Sequence, residues 1–292
     1  MHEYFKRCLV LLFVFAPGIV FSQQAPTPVT QNCAQTPCLD TTSACAGEKK
    51  ARTTQVLIDE TIPSDRVIEK LLAPYAGKVR ALNVVIGRLV GELRKSGIGG
   101  GSLGNFVSDG LRSQASISLG RPIVVVVINA GGLRKNTIAA GELRASDIFE
   151  LLPFENALVQ VDLTGEQLSR LLGVVVDAED VQSGAKIVYR TNGDKWKLVT
   201  ATLRDEQGRE TQIDPKATYT IVTIDYLMSL GSGGRYAILH EGQNAKPLGI
   251  TMRNALMNYV KAETAAGRPV RAELDGRFVN MNPNVKPGSS PE

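Results

Sequence analysis

Histidine is almost missing. The 292 residues contain two, His2 and His240, and the first lies in a leader expected to be removed. A dinuclear metal centre needs a dense ligand set to fix its ions about 3.5 to 4 Å apart, and no Asp-x-His, Gly-Asn-His or Gly-His-x-His pattern occurs. No metal site and no cofactor are therefore expected in this chain. His240, in Leu239-His240-Glu241-Gly242, reads as part of a surface turn. Ser102 and Ser232 lie in glycine loops without a His-Asp partner, so nucleophilic catalysis is not supported either, and no catalytic residue is assigned.

A dominant charge sign is also lacking. With 33 basic and 29 acidic residues, a net of +4, and no Lys/Arg block, a nucleic-acid partner is excluded. The longest apolar stretch, Cys8 to Phe21, is broken by Pro17-Gly18 and is shorter than the ~20 residues that span a bilayer. Preceded by Lys6 and Arg7 and closed by Val20-Phe21-Ser22, it has the layout of a secretory signal. Cleavage after Ser22 is expected, which leaves 31 basic and 28 acidic residues. The product would be exported, periplasmic or extracellular, with no membrane attachment. Cys8 precedes the apolar run instead of ending it, which argues against a lipoprotein.

Cysteine is scarce as well. Cys33, Cys38 and Cys45 remain after the leader, all in a Pro/Thr-rich lead-in over 23–62 that is expected to be poorly ordered. Export makes a disulfide plausible, but three sulfurs leave one over, and their pairing stays open. A zinc site would need four ligands and has no histidine nearby.

What is present is an ordinary soluble composition, 43% apolar and 21% charged. The roughly 220 residues between leader and tail suffice for one large domain with a real core, placed at 63–280 and followed by a flexible tail at 281–292. Ser64 can cap a helix whose apolar positions Val67, Leu71, Leu72, Tyr75, Val79, Leu82 and Ile86 recur at helical spacing, extending toward Leu93 with a break near Gly87. A glycine loop at 97–101 precedes a helix over 105–115. Strands are expected at 123–128, 157–163, 186–190, 198–203 and 219–224, and helices at 146–151, from Thr164 to about Val175, and from Met252 to Val260. Thr164 and Gln167 have capping-box spacing, and Asn192-Gly193 reads as a hairpin turn. The order implies an α+β fold, an α/β-type mixed sheet with flanking helices.

Two segments stand out. Asn129-Ala130-Gly131-Gly132-Leu133-Arg134 follows the apolar strand, where a sheet ends and a crevice can open. Twenty residues on come Pro153-Phe154-Glu155-Asn156. Glycines let the backbone approach a ligand, arginine offers a planar fork for phosphate or carboxylate, and phenylalanine a flat face. Plainer roles are open for each. Arg134 can form a surface ion pair, Asn129 can bond its own loop, Gly131 and Gly132 can serve only the turn, and Phe154 can be core.

These segments, with Leu103-Gly104-Asn105, Leu163-Thr164-Gly165, Ser183-Gly184 and Asp225-Tyr226-Leu227, resemble in order and spacing the C-terminal, substrate-binding domain of the 5'-nucleotidase family. The resemblance covers roughly residues 63 to 280. It implies that Phe154 stacks on a nucleobase against a second aromatic, Tyr226, that Asn156 helps hold the nucleoside, and that Arg134 and Asn129 meet phosphate and sugar. In that family a separate metallophosphatase domain carries out hydrolysis. The implied role is therefore a stand-alone domain that binds a nucleoside or nucleotide and presents it to a metallophosphatase on another chain, which would hold any divalent metals, in nucleotide catabolism. Departures from the pattern lie at Gly231-Ser232-Gly233-Gly234-Arg235, where the family's loop aspartate has become Gly233. A further departure is the run Gly97–Gly101, where an arginine is often found. Arg94 and Arg235 are the candidates to replace it, and a site favouring nucleosides over nucleotides is expected. The alternative is a structural or interaction protein that kept the fold and lost its ligand.

Overall fold

The computed structural model describes residues 59–192, 195–229 and 234–283. The expected leader, the three lead-in cysteines, Gly193, the segment Gly231–Gly233 and residues 284–292 lie outside the described residues. All elements below fall within the unit Pro63–Glu292.

Helix α1 spans Arg66–Ala81 and is capped by Asp65, not Ser64: the Asp65 carboxylate accepts from the Val67 and Ile68 amides at 2.7 and 3.2 Å. None of its residues is buried, and Val67, Leu71, Tyr75 and Val79 form an exposed apolar face. The helix stops well before Leu93. Residues Val85–Leu89 form strand β1 and Leu93–Arg94 strand β2, because β-branched Val84-Val85-Ile86 favours an extended chain. Gly87 then lets a later helix lie directly on β1, since a Cβ there would come within 2.6 Å of Val260.

Helix α2, Gly101–Leu119, follows the glycine run and is longer than expected at both ends. Strand β3, Val125–Ile128, is buried at every position. Strands β4, Thr137–Ile138, and β5, Gly141–Arg144, pair with β2 and β1, and helix α3 spans Ala145–Leu151. Strand β6, Ala157–Thr164, leads into helix α4, Gly165–Asp177, through the expected capping box, in which the Thr164 amide donates to Gln167 at 2.8 Å and the Gln167 amide to Thr164 Oγ1 at 3.3 Å. Then come β7, Val181–Ser183, β8, Ala185–Asn192, β9, Lys195–Arg204, β10, Glu210–Gln212, and β11, Thr218–Ile224. The turn α5, Asp225–Met228, strand β12, Gln243–Thr251, helix α6, Met252–Ala265, and strand β13, Phe278–Asn280, complete the fold.

The central sheet has order β12-β6-β11-β3-β7, with β11 parallel to β3 and the other neighbours antiparallel. Its inner strand β3 is a continuous apolar run and β11 is buried from Thr220 to Ile224, as befits strands covered on both faces. Helix α2 packs on β3 and β7, α4 on β6 and β11, and α6 on β1 and β12. A second sheet has order β10-β9-β8-β13, with β13 parallel to β8. The chain passes from the first sheet to the second at Gly184, whose φ is +103° and whose missing Cβ would collide with the Val124 carbonyl. The mixed sheets and flanking helices make the fold α+β. The sequence pattern did not reveal the short strands β4, β5, β7, β10 and β13, nor the nine-residue β12.

Candidate functional site

The site begins where β3 ends. Asn129 continues the extended chain, and Ala130–Gly132 turn in one 3-10 turn closed by Gly132 N–H to Asn129 O at 3.1 Å and Leu133 N–H to Ala130 O at 3.2 Å. Neither Gly131 nor Gly132 has positive φ. Their smallness serves another end: the Asn129 carboxamide folds over them, and a Cβ on Gly132 would sit 3.2 Å from Asn129 Oδ1. That oxygen is buried and has no hydrogen-bond partner. A buried unpaired acceptor costs about 1 to 3 kcal/mol, so such atoms point to a missing donor.

Asn129 also lines a cavity of about 330 Å³, together with Gly131, Asp180, Tyr226, Arg235 and Tyr236. Tyr226 stands on α5 immediately after the central strand β11, and 45% of it is exposed. Asp180 reaches the cavity because α4 ends in a Schellman cap, with Asp180 N–H bonding Val175 O at 2.9 Å and Glu179 N–H bonding Val176 O at 3.2 Å. The left-handed residue of that cap is Glu179, φ +56°, a position usually held by glycine. Without a glycine to mark it, the turn left no signal in the sequence. One Asp180 oxygen accepts from the Ala130 amide at 2.7 Å, and the other from the Tyr236 hydroxyl. Burial raises the Asp180 carboxyl above the ordinary aspartate value, outweighing the pull of these two donors. Burial and the neighbouring Asp180 likewise push the Tyr236 phenol upward, so it stays a donor.

Arg134 stands beside this cavity. Its amide is tied to Leu151 O at 2.8 Å, its Nη1 contacts Gly131 O at 3.4 Å, and its guanidinium carbon lies 5.9 Å from the centre of the Phe154 ring. Phe154 itself is 47% exposed and is not core. The loop that carries it is held by a residue the sequence reading missed, Arg253 of α6. Its guanidinium, almost fully buried, donates to Leu152 O at 2.8 Å and Pro153 O at 2.6 Å and pairs with Glu155 at 2.7 Å. Asn156 is half-buried, and its carbonyl accepts from Met252 N–H at 2.8 Å. Its side chain is not among the cavity walls.

The structure therefore brings Asn129, Gly131 and Tyr226 to one cavity, sets Gly132 under Asn129, and places Arg134 between Gly131 and Phe154. Arg94 does not substitute for the absent arginine: it is exposed and paired with Glu92 at 2.9 Å. The next residue, Lys95, turns inward and donates to Leu133 O at 3.0 Å. Burial lowers its pKa, and the nearby Arg134 charge adds to the shift. Lys95, Arg134 and Arg235 thus form the cationic side of the site. His240 is exposed in the 3-10 turn Ala237–Glu241.

The model of the family described as "5'-nucleotidase, C-terminal domain" matches residues 79–241. A trifunctional nucleotide phosphoesterase of Bacillus subtilis is 24% identical over 187 residues, 61% of this chain and 12% of that protein. A 5'-nucleotidase of Vibrio vulnificus is 30% identical over 143 residues, 47% of this chain and 24% of that protein. Among solved structures, a 5'-nucleotidase precursor from Thermus thermophilus superposes with a TM-score of 0.62 at 26% identity, over 76% of this chain and 45% of that one. The chain spans less than half the length of each of these three proteins.

Proposed function

Because the chain belongs to the 5'-nucleotidase C-terminal domain family, we propose that it binds a nucleoside or nucleotide and offers it for hydrolysis by a metallophosphatase on a separate chain. The observation that carries the reading is a cavity that brings Asn129 together with an exposed aromatic face, Tyr226, and a cation, Arg235. A ribose hydroxyl or base edge would meet the Asn129 carboxamide, a base supplies the ring for Tyr226, and a phosphate finds Lys95, Arg134 or Arg235. The relatives bear names of nucleotide phosphoesterases and nucleotidases, which supports a nucleotide as the ligand class.

Hydrolysis is assigned to the partner because the donor set of this chain does not fit a dinuclear centre. Of its two histidines, His2 is in the leader and His240 is isolated on a turn. The exposed apolar face of α1 is the kind of surface a partner covers. Export follows from the leader at residues 1–22, and no described helix is long and apolar enough to cross a membrane.

Calorimetric titration with adenosine and AMP tests the binding reading. Saturable heat is expected for both, lost in Asn129→Ala; no heat at millimolar ligand would sink it and leave the ligand-less structural protein as the reading. Phosphate release from AMP with added Mn²⁺, Zn²⁺ or Mg²⁺ is expected to be absent for the purified chain. Enzyme-like turnover would overturn the division of labour.

A further inference from the structure

Another cavity, of about 550 Å³, lies at the opposite end of β3 from Asn129, lined by residues of α2 and α6, the crossover at 183–185 and the turn at 205–208. Arg112 of α2 marks the place: its Nε donates to the Ile123 carbonyl at 2.8 Å, two residues before β3 begins. The cavity holds donors that lack acceptors. The Arg112 guanidinium is half-buried, and beyond the Ile123 bond its two terminal amino groups meet no acceptor among the described residues. The hydroxyls of Ser113 and Tyr259, both half-buried, have no hydrogen-bond partner there either. Burial pushes the Tyr259 phenol up to about 12, so it stays a donor at neutral pH. Two carboxylates of the cavity, Asp109 and Asp275, are already engaged by Arg277 at 2.8 and 2.9 Å. The turn after β9 carries the complementary group. Glu206 is exposed and forms no ion pair or hydrogen bond among the described residues. Its charge is felt at Arg112, yet the two do not pair.

We propose that this cavity binds a short peptide with free termini, its terminal carboxylate held by Arg112, Ser113 and Tyr259 and its terminal ammonium by Glu206. Half-buried donors without acceptors are costly to leave so, and an arginine fork suits a carboxylate. Charge decides the class. Three arginines and four carboxylates line the cavity, a net of −1, so a doubly charged phosphate or dicarboxylate meets repulsion. A zwitterion adds no net charge and answers the free cation and the free anion together. Size decides against a single amino acid, whose two charges sit on one carbon and cannot reach partners that stand apart. Two or three residues span roughly 7 to 11 Å when extended. The proposal is independent of the nucleoside reading.

Calorimetric titration of the full chain with trialanine, N-acetyl-trialanine and trialanine amide tests it. Saturable heat is expected for trialanine, with affinity about tenfold or more weaker for each blocked peptide, the scale of one charge-assisted hydrogen bond. Glu206→Gln should erase the preference for a free amine and keep that for a free carboxylate; Arg112→Gln should do the reverse. If the Arg112 variant fails to fold, the Glu206 variant, altered on an exposed turn, still decides. No heat with trialanine at millimolar concentration, or equal affinity for free and blocked peptides, overturns the site. Adenosine, titrated alongside, should bind both variants as it binds the wild type. Its failure to bind the wild type would defeat the nucleoside reading alone.

Discussion

Tyr236 donates its phenolic hydrogen bond to Asp180, and Asp180 holds the Ala130 amide with its other oxygen, 2.7 Å away. Residues 106 positions apart at most thereby fix the turn that carries the Asn-Ala-Gly-Gly segment. The carboxyl is costly to bury, yet without it the Ala130 amide and the Tyr236 hydroxyl would each lose a partner.

This pair predicts a pH dependence of stability. Burial raises the Asp180 carboxyl above the ordinary 3.8, so the folded protein binds that proton more tightly than the unfolded chain does. The contribution of this group is then most favourable below the unfolded value and is lost as pH rises through the raised native one. Asp180→Asn removes the titration. Urea unfolding of both proteins at a series of pH values should show the variant gaining on the wild type as the pH rises; a constant difference between them would contradict the assignment.

The two exposed rings should matter for ligand and hardly at all for folding. With 47% of Phe154 and 45% of Tyr226 exposed, truncation creates no core cavity. Phe154→Ala and Tyr226→Ala should each weaken nucleoside binding by about 1 to 3 kcal/mol, the usual cost of one stacked face. Melting temperature should stay near that of the wild type. Unchanged calorimetric affinity in both variants would remove the stacking role.

An ion cluster around the buried Arg277, far along the sequence, should behave in the opposite way. Arg277 donates to Asp109 at 2.8 Å and to Asp275 at 2.9 Å, and Asp109 also accepts from Ser183 at 2.6 Å. Burial works against the Arg277 charge, but its two carboxylate partners hold its pKa above the ordinary arginine value. Only Arg277 is buried while Asp109 and Asp275 stay partly open to water, so the loss is smaller than for a fully buried pair and Arg277→Met should cost about 2 kcal/mol. Thermal melting would show this as a drop of roughly 5 °C. A melting point within a degree or two of the wild type would refute it.

Gly184 admits no side chain. Its φ of +103° and the Val124 carbonyl facing its missing Cβ leave no room, and it is the link between the two sheets. Gly184→Ala should lose most of its soluble yield. By contrast Gly249→Ala, also at positive φ but with open space around it, should cost only about 1 kcal/mol. Equal yield and melting point for Gly184→Ala would show that the strand crossing tolerates displacement.

Much of the fold could be read directly from the residues. The apolar run at 123–128, the alternation at 157–163 and the Thr164/Gln167 box mark β3, β6 and the start of α4, because each is a local pattern whose period or cap is written in consecutive residues. The extension of α1 to Leu93 failed where helical spacing continued by chance through a β-branched segment. That segment's extended state is secured by pairing with β5, nearly sixty residues away. Short edge strands such as β10 and β13 have too few residues to show a period at all.

The candidate site divides in the same way. Asn129, Gly131, Gly132, Arg134, Phe154 and Tyr226 could be named from the sequence because they lie in compact segments with a distinctive order. Asp180, Tyr236, Lys95 and Arg253 could not. Each is an ordinary residue in an ordinary stretch, and its role arises from a contact across at least 38 positions for Lys95 and about a hundred for Arg253.

By itself, then, the sequence determined the longer, locally patterned elements, the family resemblance and the flat and cationic side chains available for a ligand, since these depend on residue type and local spacing. Only the tertiary structure decided that Asn129 Oδ1 is left without a partner, that an acid from the end of α4 enters the cavity, and that Arg235 joins Tyr226 there. Burial, and the pairing of groups far apart in the chain, are properties of packing and have no counterpart in any short stretch of residues.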